Sequence, residues 1–206
     1  MIIRNLHLPR STFAIFLLLS VLSACTHIYK PPMELVSGYE QANTIPLKAG
    51  LVLNDELHTA KWEKKVMGDT FRIPLGDSLA KNSEALVREL FADVVIGKST
   101  IDFNLENIDV IVIPTMVSVE QSEGVMAWSP SVLTIFLEWK FQDNDSRLVW
   151  VDTIKGEGIG AGGNIFTHKG NAQIRIKKTL DALFKNSHEA ISNAQEIKDL
   201  VKTSEN

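Results

Sequence analysis

The clearest pattern in the chain is an alternation of apolar and polar positions over residues 131–141. A period of two predicts a β-strand with one buried face. A cluster of turn-forming residues at 143–146 follows, and residues 148–154 are again extended. We therefore expect the two segments to be antiparallel neighbours. The positions predicted to point into the core are Leu133, Ile135, Leu137, Trp139 and Phe141.

Four more segments have the composition of strands. Residues 47–53 alternate, and residues 62–66 and 70–75 flank a hairpin turn at 67–69. Residues 109–120 are rich in β-branched side chains, and Pro114 places that strand at a sheet edge or a bulge.

Two segments have helical spacing. The first opens at residues 76–78, where Asp77 or Ser78 can cap it, and we expect it to end at Gly97. The second extends from Ala172 to Val201, as one long helix or as two with a break near residues 185–187. The predicted fold class is α+β, a mixed or mainly antiparallel sheet with two long amphipathic helices packed on one face.

The N-terminal 24 residues have the pattern of an export signal. Arg4 and Arg10 are followed by an apolar run of about ten residues, which is too short to cross a bilayer. The run ends in Leu22-Ser23-Ala24-Cys25, which resembles the lipobox of bacterial lipoproteins. That resemblance implies that Cys25 is lipidated and becomes the first mature residue. The alternative is a small apolar residue near an ordinary cleavage site.

The lipobox resemblance also implies a location. In the enterobacterial sorting rule, an Asp after the cysteine retains a lipoprotein in the inner membrane. Thr26 does not match that signal, which favours the periplasmic face of the outer membrane over the inner membrane. The predicted organisation is a signal peptide at 1–24, the lipidated cysteine with a tether at 25–45, and one α+β domain at 46–206. The later half of the tether could instead pack back on the domain.

Composition narrows the possible functions. Without the two leader arginines, 19 basic residues face 25 acidic ones, a formal charge of −6. A mildly acidic domain has no electrostatic basis for binding nucleic acid. Cys25 is the single cysteine, so an internal disulfide and a cysteine zinc site are excluded.

Residues 151–166 contain a match to G-x-G-x-x-G at Gly158, Gly160 and Gly163. A dinucleotide site needs a parallel strand–helix–strand unit, but the preceding strand is predicted to be antiparallel and no strand follows. We expect no cofactor there, and instead a flexible or bulged connection into the last helix. The other reading is a mobile partner-contact loop formed by Gly158, Gly160, Gly162 and Gly163. Trp128, in an apolar loop, is a further possible partner contact or a cap on the core.

No catalytic or metal-binding pattern is present. The five histidines lack zinc-helix spacing, and there is no G-x-S-x-G motif. We therefore expect a protein that is not an enzyme and carries no metal or cofactor.

Two stretches carry a second resemblance, "FRIPLGDSLAKNSEALVRELFADVV" and "LEWKFQDNDSRLVWVDTIKGEG". They are similar to Gram-negative lipoproteins with a domain like the amino-terminal domain of TolB or the core of CsgG-type secretion lipoproteins. The resemblance implies an accessory in envelope assembly or transport, with envelope proteins or further copies of the chain as partners. The alternatives are a lipid or glycan carrier and a hydrolase of an envelope polymer.

Overall fold

A computed structural model describes residues 25–32, 34–36, 44–66, 69–122, 131–160 and 169–204. Within these ranges the chain has mixed α/β content, with two mixed sheets and four α-helices. The structure therefore contains more strand than predicted. It has four α-helices of unequal length within the described ranges, whereas two long helices were expected.

The smaller sheet contains three strands in the order β1-β4-β3. β3 (Lys61–Val66) and β4 (Asp69–Pro74) form the predicted antiparallel hairpin. β1 (Thr26–Ile28) lies parallel to β4 on its other side. A short helix, α1 (Asp55–His58), precedes the hairpin and is capped by the side chain of Asn54.

The larger sheet has five strands in the order β5-β2-β6-β7-β8. β2 (Ile45–Val52) lies parallel to both β5 (Phe91–Gly97) and β6 (Val110–Ser122). β7 (Val132–Gln142) and β8 (Leu148–Ile159) continue the sheet in antiparallel pairing. The alternating burial of β7 confirms the five predicted inward positions.

Pro114 lies at a sheet edge, as predicted. β2 pairs with β6 only as far as Val112, so beyond that residue the only described strand that pairs with β6 is β7. A proline has no amide proton to donate, and this one-sided part of the strand tolerates it.

The first predicted helix is shorter than expected. α2 (Gly76–Leu90) ends at Leu90, and Phe91 turns directly into the extended conformation of β5. The spacing of Val94 suggested a continuing helix, but Val94, Val95 and Ile96 are β-branched and pair with the open parallel edge of β2. The prediction that this helix extends to Gly97 was therefore wrong, because residues 91–97 form a strand.

The C-terminal helical segment is divided, but not where the sequence suggested. α3 (Lys169–Asn193) is continuous through residues 185–187, and α4 (Gln195–Ser204) follows after Ala194. Ser187 is buried on α3, where its hydroxyl accepts a hydrogen bond from the indole of Trp139 at 2.9 Å and donates one to the carbonyl of Leu183 at 2.8 Å. A polar residue that looked like a helix breaker thus has partners inside the helix layer.

The glycines of β8 allow α3 to lie unusually close to the sheet. Three glycines alternate along the helix-facing side of this strand and its end, and a Cβ at any of them would overlap an atom of α3. The matching helix residues are spaced by four, one turn apart. The pairs are Gly156 with Thr179 and Leu183, Gly158 with Thr179 and Arg175, and Gly160 with the guanidinium of Arg175.

This observation corrects the prediction that the strand ends at Ile154 and passes into a glycine-rich connection. β8 extends to Ile159, and its glycines serve close helix–strand packing.

Replacing Gly158 by Ala should destabilise the fold by about 1–3 kcal/mol, because the added methyl group overlaps backbone atoms of α3. Glu157→Ala is the matched control, since Glu157 is exposed on the opposite side of the same strand and its loss should change stability by less than about 0.5 kcal/mol. Denaturant unfolding of both variants measures the difference. Equal midpoints for Gly158→Ala and the unmodified chain would contradict this packing.

Candidate functional site

Cys25, the predicted lipidation site, lies at the start of the smaller sheet. The residue is exposed. Its carbonyl oxygen accepts a hydrogen bond from the amide of Thr70 at 2.9 Å, and Thr26 is paired with the same residue of β4. The chain therefore enters the domain directly after Cys25.

The residues after β1 also pack on the domain. The amide of Tyr29 donates to the carbonyl of Arg72 at 2.9 Å, and the ring of Tyr29 stacks on Phe71 with centroids 6.4 Å apart. Burial raises the pKa of the Tyr29 hydroxyl. Further along, the amide of Val36 donates to the buried side chain of Asn82 on α2 at 2.8 Å. The described part of residues 25–36 is thus a component of the fold, which differs from the spacer predicted there.

The predicted partner-contact residues divide into two groups. Gly158 and Gly160 are buried beneath α3, so the contact seen at these two positions is within the chain. Gly160 donates its amide to the carbonyl of Ser131 at 3.1 Å. Trp128, Gly162 and Gly163 lie outside the described residues, and their role as contacts stays a prediction.

The side of the larger sheet that faces away from α2 and α3 is partly uncovered; we call it the open face. Val52, Phe103, Ile108 and Ile111 form a small second core at one end of it. Farther along, Val117, Val151 and Ile159 are exposed apolar side chains. Among the described strands β8 pairs only with β7, so its outer edge is not hydrogen-bonded to another strand. The sequence signal for this face was the alternation of residues 131–141, most of which lie in β7; it shows that the sheet has a second side but does not show what covers that side.

An apolar pocket of about 530 Å³ opens between the start of β2 and the junction of α3 and α4. Ile45, Pro46, Ile191, Ile197 and Val201 are among its lining residues, together with Lys198 and Lys202. The Lys202 ammonium lies 2.7 Å from a carboxylate oxygen of Asp199, and this hydrogen bond, followed by one from Gln195, lowers the pKa of Asp199. Sequence reasoning missed this pocket because it depends on where the helix breaks.

The histidines within the described ranges are not gathered into one metal-binding group. His27 lies 3.4 Å from Asp69, and His58 lies 3.8 Å from Asp77, each beside a single carboxylate. Among the described residues, no three or more His, Cys, Asp or Glu side chains are grouped as metal ligands. None of the four described helices combines the length and the apolar composition that crossing a membrane requires.

No protein-family model and no curated protein sequence matches the chain. The chain is similar to a number of solved structures at low sequence identity, among them the following three. Protein XCC0632 from Xanthomonas campestris, described as belonging to family DUF330, is 13% identical with a TM-score of 0.58, and the match covers 83% of this chain and 98% of that one. At this identity the likeness shows a shared fold.

The other two structures superpose less well. A minor lipoprotein from Acinetobacter baumannii is 9% identical with a TM-score of 0.46, covering 73% of this chain and 93% of that one. The PelC dodecamer from Paraburkholderia phytofirmans is 15% identical with a TM-score of 0.36, covering 71% and 94%. The suggested likeness to TolB and CsgG stays a prediction.

Proposed function

We propose that this protein is an envelope lipoprotein, anchored through Cys25 to the periplasmic face of the outer membrane. Its domain acts there without catalysis, as an accessory in envelope assembly or transport that binds other proteins through its larger sheet. The observation that carries the proposal is the position of Cys25, which is exposed at the start of the smaller sheet and directly follows a segment with the pattern of an export signal.

The anchor has a simple energetic basis. Each buried methylene of an acyl chain contributes about 0.8 kcal/mol, and two or more chains are needed for stable anchoring. Because Cys25 is hydrogen-bonded to Thr70, the lipid would hold the β1–β4 end of the domain against the bilayer. The described segment after Cys25 belongs to the fold, so the domain would lie at the membrane surface with little freedom to move away from it.

The open face and the β8 edge supply the proposed protein contact. Exposed apolar side chains on a sheet face and an unpaired strand edge are both surfaces that bind other chains. The edge carries charges that limit non-specific pairing, including Lys155 and Glu157, 3.2 Å apart. In addition, the side chain of Asn186 donates to the carbonyl of Lys155 at 2.9 Å, which occupies one acceptor of the edge. The partner is either an envelope protein or another copy of the chain.

A photo-reactive amino acid at Val151 on the open face should form crosslinks to a partner in intact cells of the source bacterium. The control is the same amino acid at Glu189, which is exposed on α3, and it should yield few crosslinks. Cys25→Ser should abolish the Val151 adduct, because the domain is then no longer held at the membrane. The assignment would be contradicted by equal adducts at both positions, or by a Val151 adduct that persists unchanged in Cys25→Ser.

The apolar pocket supports a second function, a carrier of an amphiphilic molecule. Its volume is about 530 Å³, which lies within the range of ligand pockets, roughly 300–1,000 Å³. An apolar lining with Lys198 at its margin suits an acyl chain with an anionic head group.

For this second function, the purified protein should enhance the fluorescence of an apolar probe such as 1-N-phenylnaphthylamine, and oleate should displace the probe. Val201→Phe fills the pocket and should weaken probe binding by about tenfold, equivalent to about 1.4 kcal/mol. Glu196→Phe adds the same ring outside the lining residues and should leave binding unchanged. Equal binding by the two variants would exclude this pocket as the carrier site.

A further inference from the structure

Three side chains at one end of the helix-facing side of the larger sheet carry buried polar atoms that have no hydrogen-bond partner among the described residues; Ser131 and Arg175 are buried as a whole, and Gln121 is half-buried. They are Gln121 on β6, Ser131 directly before β7, and Arg175 on α3. Arg175 is 1% exposed and Ser131 is 2% exposed. The atoms that lack partners are both amide atoms of Gln121, the Ser131 hydroxyl oxygen, and Nε and Nη1 of Arg175.

Strand register brings Gln121 and Ser131 together. Gln121 is paired with Leu133, whose side chain is in the core beneath the helices, so Gln121 shares that side of the sheet. Ser131 is two residues before Leu133 and also points to this side, because side chains alternate along a strand. Both therefore lie at the same corner of the sheet.

The packing of α3 places Arg175 over this corner. The hydroxyl of Thr179 lies 3.2 Å from the carbonyl oxygen of Leu133 and 2.9 Å from that of Arg175, and the first contact shows where the helix crosses β7. Arg175 is one helical turn earlier, and its guanidinium lies against the α-carbon of Gly160. Gly160 is in turn hydrogen-bonded to the backbone of Ser131.

An unpaired guanidinium at this depth needs a counter-charge. Burial lowers the pKa of Arg175, but an arginine remains protonated in proteins. A buried charge without a partner costs several kcal/mol. No ion pair is recorded for Arg175 with any acid in the described part of the chain, and the two acids nearest to it in α3 do not fill the role, since Asp181 pairs with Lys177 at 3.0 Å and Glu189 is exposed.

We propose that Gln121, Ser131 and Arg175 form a binding site for a phosphate group that carries one proton. The guanidinium offers a fork of N–H donors that matches two phosphate oxygens. The Gln121 amide and the Ser131 hydroxyl add two donors, and the Gln121 carbonyl accepts from the P–OH group. The group could belong to free phosphate or to a phosphate monoester, since both present a P–OH donor and acceptor oxygens; with one proton the monoester carries a single negative charge, which matches the single guanidinium, and free phosphate carries two. This site is separate from the Cys25 anchor, the open face and the apolar pocket.

Thermal unfolding of the purified mature protein, in detergent micelles and phosphate-free buffer, tests the site. Inorganic phosphate should raise the melting temperature in a saturable manner relative to chloride at equal ionic strength, because a ligand bound only by the folded state stabilises it. Phenyl phosphate should act similarly if monoesters enter the site, whereas dimethyl phosphate, which has no P–OH, should act more weakly. An equal shift with chloride, or a larger one with acetate than with phosphate, would overturn the proposal.

Variants separate binding from general stability. Arg175→Met retains the apolar stem and should lose the phosphate response, while unfolding in phosphate-free buffer at the same or a higher temperature than the unmodified protein. Arg88→Met removes an exposed arginine that pairs with Glu84 at 2.9 Å, and it should keep the full response. If Arg175→Met does not fold, Ser131→Ala provides the second test, with an expected loss of about tenfold in phosphate affinity.

The competing explanation is a counter-charge from the chain itself. Glu123 follows β6 in the sequence, outside the described residues. If Glu123 pairs with Arg175, Glu123→Gln and Arg175→Met should each destabilise the protein, their effects should not add, and phosphate should have no effect. That result would refute the phosphate site. Additive effects together with a phosphate response would support it.

Discussion

The close approach of α3 to β8 is the constraint on which the helix layer depends. Three glycines at alternate positions remove the side chains that would keep helix and strand apart. Once the helix is this near, polar side chains on it reach the sheet, as Thr179 does to Leu133 and Ser187 to Trp139. The same close approach places the guanidinium of Arg175 against Gly160. At this position the charge of Arg175 has no partner among the described residues. The glycines that match a nucleotide-binding motif thus serve helix–strand packing. Because Gly160 has no side chain, the guanidinium of Arg175 can lie beside it.

The smaller sheet adds a second constraint, on how the protein could meet a membrane. β1 starts one residue after Cys25 and pairs with β4, so the end of the domain with the β3–β4 hairpin is the end next to Cys25. In the proposed function the lipid then determines orientation as well as location. A partner that binds the open face would meet a domain whose height above the bilayer is restricted by hydrogen bonds of β1 and Tyr29 to β4.

Local patterns allowed most of the strands to be predicted. The alternation of β7, the turn before β8 and the β3–β4 hairpin all depend on neighbours in sequence, and the structure has them as expected. The wrong predictions concern segments whose secondary structure depends on contacts with residues far away in the sequence. Phe91–Gly97 became a strand because β2 offered a free parallel edge, and β8 continued through its glycines because α3 needed the space.

The candidate sites also differ in whether local sequence patterns or long-range contacts define them. The candidate lipidation site at Cys25 was predicted from residues that are adjacent in the sequence, Leu22 to Cys25. The apolar pocket and the polar cluster at Gln121, Ser131 and Arg175 could not be predicted in this way, because each combines residues from segments far apart in the chain. In mixed sheets, which combine parallel and antiparallel strand pairs, such juxtapositions depend on the register between strands that are far apart in the sequence.

Mass spectrometry of the N-terminal peptide, from protein isolated with bacterial membranes, tests the central claim most directly. The account predicts a peptide that begins at Cys25 and carries the mass of a diacylglyceryl group with or without an additional acyl chain. A peptide with an unmodified Cys25 thiol, or one that still includes residues of the leader, would contradict the lipid anchor and with it the proposed location of the domain.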